Sequence, residues 1–339
     1  MPTHIVLLIV SFAIILIGSE MFTNGVEWAG HHLSLSEAAV GSLLAAVGTA
    51  LPETLIPAVA LVMSRGVPGA HSEVGVGAII GAPLMLSTIA LFVMGVAALG
   101  YRRRRGRIAL RVPRTDARRD LGFFLPVFVA VIVLGMFNLP PIARHVVGAM
   151  LLVVYATYAM VILKLKRAAD TSVEHGLHLE SLLGGNPSDP RAWSTALQVL
   201  LGTIAILLGA YVFVDEIVIL SQHANLNPGV LSLILSPLAT ELPEKYNAVV
   251  WIRQSKDNLA LANITGAMVF QSCIPVALGL SFTPWHLSSP ELLGGAIAIF
   301  SGALLYVNLR DGELGTPTLV VGGIAYAAFI AGLGWLGVF

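Results

Sequence analysis

Ten apolar stretches follow one another along the chain, at roughly 4–28, 36–64, 74–99, 121–139, 142–163, 195–221, 229–252, 258–282, 290–309 and 316–338. Each is near or above the ~20 residues that an α-helix needs to cross the hydrocarbon of a bilayer. The pattern predicts an all-α integral membrane protein with ten transmembrane helices. The first stretch lacks a basic start and a small-residue cleavage site, carries Glu20, and has a relative later in the chain. It is read as a retained helix and not as a secretory signal.

Composition agrees with this reading. Hydrophobic residues make up 56% of the 339 positions and charged residues only 11%, with 34 glycines. The mean hydropathy of +0.85 lies outside the soluble range. The formal net charge of zero says nothing about partners, but the placement of the charges does. Nine of the 19 Lys and Arg residues (Arg102 to Arg105, Arg107, Arg111, Arg114, Arg118 and Arg119) fall between the third and fourth stretches. Lys164, Lys166, Arg167 and Arg191 lie between the fifth and sixth, Arg253 and Lys256 between the seventh and eighth, and Arg310 between the ninth and tenth. If both termini face outward, all of these are cytoplasmic; only Arg65 and Arg144 fall outside, and Lys245 lies within a helix. The expected location is a plasma (inner) membrane. The arginine run is read as a solvated, orientation-setting loop in preference to a nucleic-acid or lipid-headgroup patch. The single cysteine, Cys273, excludes an internal disulfide framework and reads as a small packing residue.

The chain also repeats itself. VGTALPETLIP at 47–57 has a partner in LATELPEKYNA at 238–248, and an offset of 191 residues holds without a gap across two helices. Ile15, Leu16, Gly18 and Phe22 map onto Ile206, Leu207, Gly209 and Phe213. Leu44, Thr49, Leu51, Pro52 and Glu53 map onto Leu235, Thr240, Leu242, Pro243 and Glu244. Gly81 and Ala82 meet Gly266 and Ala267 at an offset of 185. The halves are 1–164 and 194–339, joined by a polar linker over 165–193. Because five helices is an odd number, the second half enters the membrane from the opposite side, giving an inverted repeat. Such repeats are typical of transporters that bind substrate near the midplane.

Glu53 and Glu244 are the pivot of the argument. A carboxylate at mid-bilayer costs about 2.5–3.5 kcal/mol on insertion scales, so its presence in both copies calls for a compensating partner. A bound cation is the natural one. Pro52 and Pro243 remove backbone donors and free carbonyls in the preceding turn, at 48–49 and 239–240. Thr49 and Thr240 add hydroxyl oxygens. This hard oxygen set suits Ca²⁺ or Na⁺. The bland alternative is a pair of protonated core glutamates bonded to neighbours.

At these residues the chain resembles the Ca²⁺/cation antiporter superfamily, and the sodium/calcium exchanger family in particular. That family has two inverted five-helix halves, with a G-T-S-L-P-E segment on each second helix and a G-N-x-x-G-S-N-x-x-N/D segment on each third. The first motif stands here as Gly48-Thr49-Ala50-Leu51-Pro52-Glu53 and as Ala239-Thr240-Glu241-Leu242-Pro243-Glu244. The second is degraded, with Ala82 and Ala267 in place of the serine and Leu86 and Gln271 at the last polar position. The resemblance implies that Glu53 and Glu244 bind the transported cation, with Thr49, Thr240 and Gln271 as further oxygen sources. The family's third-helix Na⁺ sites draw on polar groups that are replaced at Ala82, Ala267 and Leu86 here. Glu241 adds a carboxylate, and Lys245 follows it at i+4, placed for an intrahelical ion pair; the alternative partner of Lys245 is Glu244. On the first helices Glu20 and Asn24 stand opposite Tyr211 and Asp215, with Glu216 alongside. They read either as ion access routes, since the family slides its first and sixth helices, or as an interfacial cluster. His31, His32 and His223 read as surface residues. His175 and His178 in the linker are too loosely spaced to indicate a metal site.

The expected activity is secondary antiport of Ca²⁺ against Na⁺, with H⁺ coupling and a non-transporting protein of the same fold as alternatives. An intramembrane enzyme is not expected: the chain has no HExxH, no paired G-x-G-D aspartates and no serine with a nearby histidine in an apolar span. No resident cofactor and no nucleic-acid partner are expected, only inorganic cations and the lipid bilayer.

Overall fold

A helix that is apolar all round must be covered by lipid or by other helices, because nothing in hydrocarbon can satisfy an open backbone. The computed structural model, in which residues 1–32, 45–65, 68–112, 114–165, 179–180, 190–309 and 312–338 are described, follows that rule. Its long elements are α1 (Pro2–His32), α2 (Ala45–Met63), α3 (Ala70–Gly100), α4 (Arg114–Leu134), α5 (Pro141–Leu165), α6 (Ala192–Ala224), α7 (Pro228–Thr240), α8 (Leu242–Arg253), α9 (Asp257–Phe282), α10 (Ser289–Asn308) and α11 (Thr316–Trp335). Seven of these are long and apolar enough to cross a membrane: α1, α3, α5, α6, α9, α10 and α11. Shorter apolar helices at Pro52–Met63 and Pro228–Thr240 accompany them. Large apolar side chains such as Val62, Ile142, Val153 and Ile324 stand exposed on the outside, as expected of a surface that meets lipid tails.

Three elements depart from the sequence pattern. The stretch expected as one helix over 229–252 is two, α7 and α8, broken at Glu241 (φ −95°, ψ 8°). Pro243 occupies the first turn of α8, where the missing N–H costs nothing, so the chain restarts a helix at this point. Pro52 by contrast lies inside the unbroken α2. The fourth stretch was expected over 121–139, yet α4 starts at Arg114, because its charged first turns find partners inside the protein. Asp120 there accepts hydrogen bonds from Tyr158 of α5 (2.5 Å) and Thr265 of α9 (2.7 Å). A two-residue strand pair, β1 (Leu110–Arg111) with β2 (Glu313–Leu314), has no apolar signature of its own in the sequence.

The basic loop is a further correction, being only partly solvated. The Arg105 guanidinium is fully buried and grips both carboxylate oxygens of Asp257, at 2.7 and 2.8 Å. Arg107 (3.0 Å) and the backbone N–H of Arg111 (2.9 Å) donate to the same carboxylate. The loop is thereby pinned to the first residue of α9.

Close helix contacts hold the site's elements. α1 and α6 run antiparallel, with Gly18 against Gly202 and Ala205, and Gly209 against Ile15. α3 packs against α7, and α2 against α9. The α3–α7 approach depends on missing side chains: a Cβ on Gly77 would lie 2.1 Å from the Gly229 carbonyl oxygen, and one on Gly81 2.3 Å from that of Leu233. α3, which carries a π-helical turn at Leu86–Ala90, and α9 are buried along most of their length and form the centre of the bundle.

Candidate functional site

Glu53 projects from α2 one residue after Pro52, and Glu244 from the first turn of α8 one residue after Pro243. Pro52 and Pro243 carry no N–H, so the carbonyls of Gly48 and Ala239, four residues earlier, lose their usual helical donors. Glu241 sits at the break, Lys245 one turn later, and Gln271 midway along α9. All five side chains are buried; Glu53, the most accessible carboxylate of the three, is 5% exposed.

The polar contacts within this group are few. The Gln271 side-chain amide donates to Glu53 Oε2 and interacts with Glu241 as well. Lys245 Nζ donates to Glu241 Oε2 at 3.2 Å, so the i,i+4 pair forms. Glu244 interacts electrostatically with Glu53, Glu241 and Lys245, which places all four charges in one neighbourhood. Tyr326 of α11 also interacts with Glu241. Five buried oxygens have no hydrogen-bond partner: Oε1 of Glu53, Oε1 of Glu241, both of Glu244, and Oε1 of Gln271. A buried polar atom left unpaired costs about 1–3 kcal/mol, and more when charged, so such a concentration of acceptor oxygens is suited to a cation. The N-terminus of α8 offsets part of the Glu244 charge, and the carbonyl end of α7 adds partial negative charge beside it.

The other candidate residues are placed as follows. Thr240 is buried, and its hydroxyl donates to the Ser236 carbonyl at 3.2 Å, leaving its lone pairs uncommitted. Thr49 lies one helical turn before Glu53 on α2; its side chain is outside the described residues. Asn24 lies towards one end of the antiparallel α1–α6 pair and Asp215 and Glu216 towards the other, with Glu20 nearer the middle, because equivalent positions of the two helices point to opposite ends. Asn24 accepts from Gln198 Nε2 at 2.8 Å, and Gln198 in turn accepts from the Leu179 N–H at 3.3 Å. Glu216 pairs with His4 Nδ1 at 2.8 Å, and Asp215 lies 3.8 Å from His71. Tyr211 and His223 are exposed. The His31 side chain, His175 and His178 lie outside the described residues. Among the described residues, no three His, Cys, Asp or Glu side chains converge closely enough to hold a metal on their own. A cation at Glu53 and Glu244 therefore needs Gln271 and backbone oxygens to complete its shell. Sequence reasoning missed Tyr326, which is one aromatic among many in an apolar span, and the Asp120 cluster, whose partners come from two distant helices.

A buried carboxylate pair delivered by two proline-marked helices within a lipid-facing bundle defines a membrane protein of the cation-exchanger class. The chain matches the family described as sodium/calcium exchanger protein over residues 3–164 and 194–337, and it belongs to that family. It is 22% identical over 328 residues to the CaxA protein of Alkalimonas amylolytica, a provisional antiporter by its name, with 96% of each chain covered. It is 23% identical over 305 residues to the inner membrane protein YrbG of Escherichia coli K12, covering 88% of this chain and 86% of that one. Among solved structures its fold resembles the H⁺/Ca²⁺ exchanger CAX, with a TM-score of 0.77 at 17% identity, covering 97% of this chain and 81% of the other. It also resembles the sodium-calcium exchanger NCX_Mj, with a TM-score of 0.62 at 22% identity, covering 96% and 98%.

Proposed function

We propose that the protein is a secondary antiporter that moves Ca²⁺ against a monovalent cation, by alternating access to one site between Glu53 and Glu244. The observation that carries this reading is the cluster of unpartnered buried oxygens on those two side chains and on Glu241 and Gln271. Ca²⁺ takes 6–8 oxygen ligands, and a rotation of the Gln271 amide would turn its free Oε1 towards a cation in place of the N–H that now meets Glu53. With the ion gone, the carboxylates repel, so monovalent charge must enter before the carrier can return.

The architecture proposed with it is ten membrane passes in two inverted five-helix halves, 1–164 and 194–339, around the linker 165–193. Contacts between links support it. The links before α4, α9 and α11 meet through Arg105–Asp257 and through β1–β2, and the basic-side ends of α1 and α6 meet through Asn24–Gln198. The first turn of α3 meets the link before α7 through Glu73–Asn227 (2.9 Å), and His4 reaches the C-terminal part of α6. These two groups are the two membrane faces expected if both termini face outward. The third helix of each half packs against the second stretch of the other, α3 on α7 and α9 on α2, as expected of an inverted repeat. The basic links then face the cytoplasm of a plasma or inner membrane, and Asn24 on one face and Asp215 and Glu216 on the other flank the access routes along α1 and α6.

For the returning charge, H⁺ is favoured over Na⁺ by one observation. Three of the family's third-helix polar positions are apolar here, at Ala82, Leu86 and Ala267, and the nearby hydroxyls of Ser87, Thr88 and Ser272 are donated to carbonyls of their own helices. Few oxygens remain for separate Na⁺ sites, whereas a carboxylate takes a proton without further ligands. The test is ⁴⁵Ca²⁺ uptake into proteoliposomes under an imposed pH or Na⁺ gradient, beside Glu53→Gln. A pH gradient is expected to drive uptake, a Na⁺ gradient to drive it weakly, and the variant to fall to the level of empty liposomes. Uptake driven by neither gradient would leave a non-transporting protein of this fold.

A further inference from the structure

We propose that Lys245 is a tethered counter-cation of the carboxylate site and sets the number of monovalent charges exchanged for one Ca²⁺ at two. The inference rests on the antiport reading above and adds the charge balance of the cycle.

Three carboxylates and one ammonium are buried together: Lys245 donates to Glu241 at 3.2 Å, Glu244 precedes Lys245 in the first turn of α8, and Glu53 meets the Gln271 amide that also interacts with Glu241. Their formal sum is therefore −2. Lys245 reaches Glu241 one turn away along the chain and interacts electrostatically with Glu53 and Glu244 as well. Two features argue against a closed structural ion pair. The second carboxylate oxygen of Glu241 is unpartnered, and only one of the three ammonium donors makes a hydrogen bond among the described residues. A pair retained for stability alone would be expected to satisfy its remaining groups, since one-sided burial of charge is costly.

The consequences follow from charge counting. With Lys245 in place, one Ca²⁺ brings the site to neutrality, and so do two monovalent cations. The loaded and the returning carrier then both cross with no net charge, and the membrane potential does no work on the cycle. Without Lys245 the three carboxylates need three monovalent charges on the return leg, so each Ca²⁺ is exchanged for three and one net charge crosses per turn. Removing the carboxylate together with the ammonium, in Glu241→Gln with Lys245→Met, restores the sum of −2 on Glu53 and Glu244. Unlike a bound ion, a lysine cannot leave with the cargo, so it fixes this count in every cycle.

The test is the steady-state ⁴⁵Ca²⁺ accumulation ratio in proteoliposomes whose potential is clamped with K⁺ and valinomycin, at a fixed gradient of the driving ion. The parent and Lys245→Arg are expected to show no dependence on potential. Lys245→Met is expected to gain it, with the ratio changing about tenfold for about 60 mV, the value for one charge per cycle. The double variant is expected to lose the dependence again, which keeps the test readable if the single variant folds poorly. A voltage-dependent parent, or a double variant that depends on potential, would overturn the role of Lys245 while leaving antiport standing. Absence of uptake by the parent would overturn the antiport reading, and this inference with it.

Discussion

Glu244→Gln is expected to abolish Ca²⁺ uptake, by at least about 100-fold, while the ion-free protein becomes more stable. Both outcomes come from the same two atoms. Glu244 is 1% exposed, and neither carboxylate oxygen has a hydrogen-bond partner, so without cargo an ionised side chain is opposed by Glu53 and Glu241 and offset only by the helix N-terminus and the Lys245 ammonium, which is hydrogen-bonded to Glu241 instead. An amide removes the repulsion from Glu53 and Glu241 and relieves desolvation on the order of 1–3 kcal/mol. The same change removes a charged ligand from a divalent ion, and about 2.7 kcal/mol of lost binding is already 100-fold. Thermal unfolding in detergent, with and without Ca²⁺, reads both effects: the variant is expected to unfold at a higher temperature than the parent without Ca²⁺, and to gain nothing from adding it. A glutamate that serves only as a bonded core residue would show neither change.

Asp257→Ala is expected to give the largest loss of stability, about 3–5 kcal/mol, with little effect on the midplane site. Its carboxylate accepts from Arg105 twice, from Arg107, and from the backbone N–H of Arg111. Truncation leaves the fully buried Arg105 guanidinium without its partner, and breaking one side of a buried pair costs far more than the pair contributes. The double variant Arg105→Met with Asp257→Leu is therefore expected to recover most of the loss. Urea or thermal unfolding of the three proteins checks this, and Ca²⁺ affinity is expected to be nearly unchanged in whichever variants remain folded. If the single variant unfolds like the parent, the loop is not pinned through this carboxylate.

The sequence made the membrane class and the repeat legible because both depend on local pattern: apolar runs of spanning length, and one motif occurring twice. The same motif led to Glu53 and Glu244. It did not reveal that Pro52 lies inside a continuous helix while Pro243 begins a new one. Proline is tolerated both as a kink and in the first helical turn, and the apolar pattern across 229–252 is uninterrupted, so nothing local chooses between them. The pinned arginine was hidden for another reason. Arg105 and Asp257 are separated by 152 positions, and an arginine in a basic run reads as solvated until its partner is known. Equivalence by repeat also misleads about proximity. Asn24 and Asp215 correspond in the two halves, yet an antiparallel pairing of α1 with α6 sends them to opposite ends.

The central claim, that one cation is held jointly by the two halves, is tested most directly by anomalous diffraction from crystals grown with Sr²⁺ in place of Ca²⁺. The account predicts one strong peak within bonding distance of carboxylate oxygens of both Glu53 and Glu244. A protein that still takes up Ca²⁺ but shows the peak on only one of these glutamates, or at a site away from both, would contradict it.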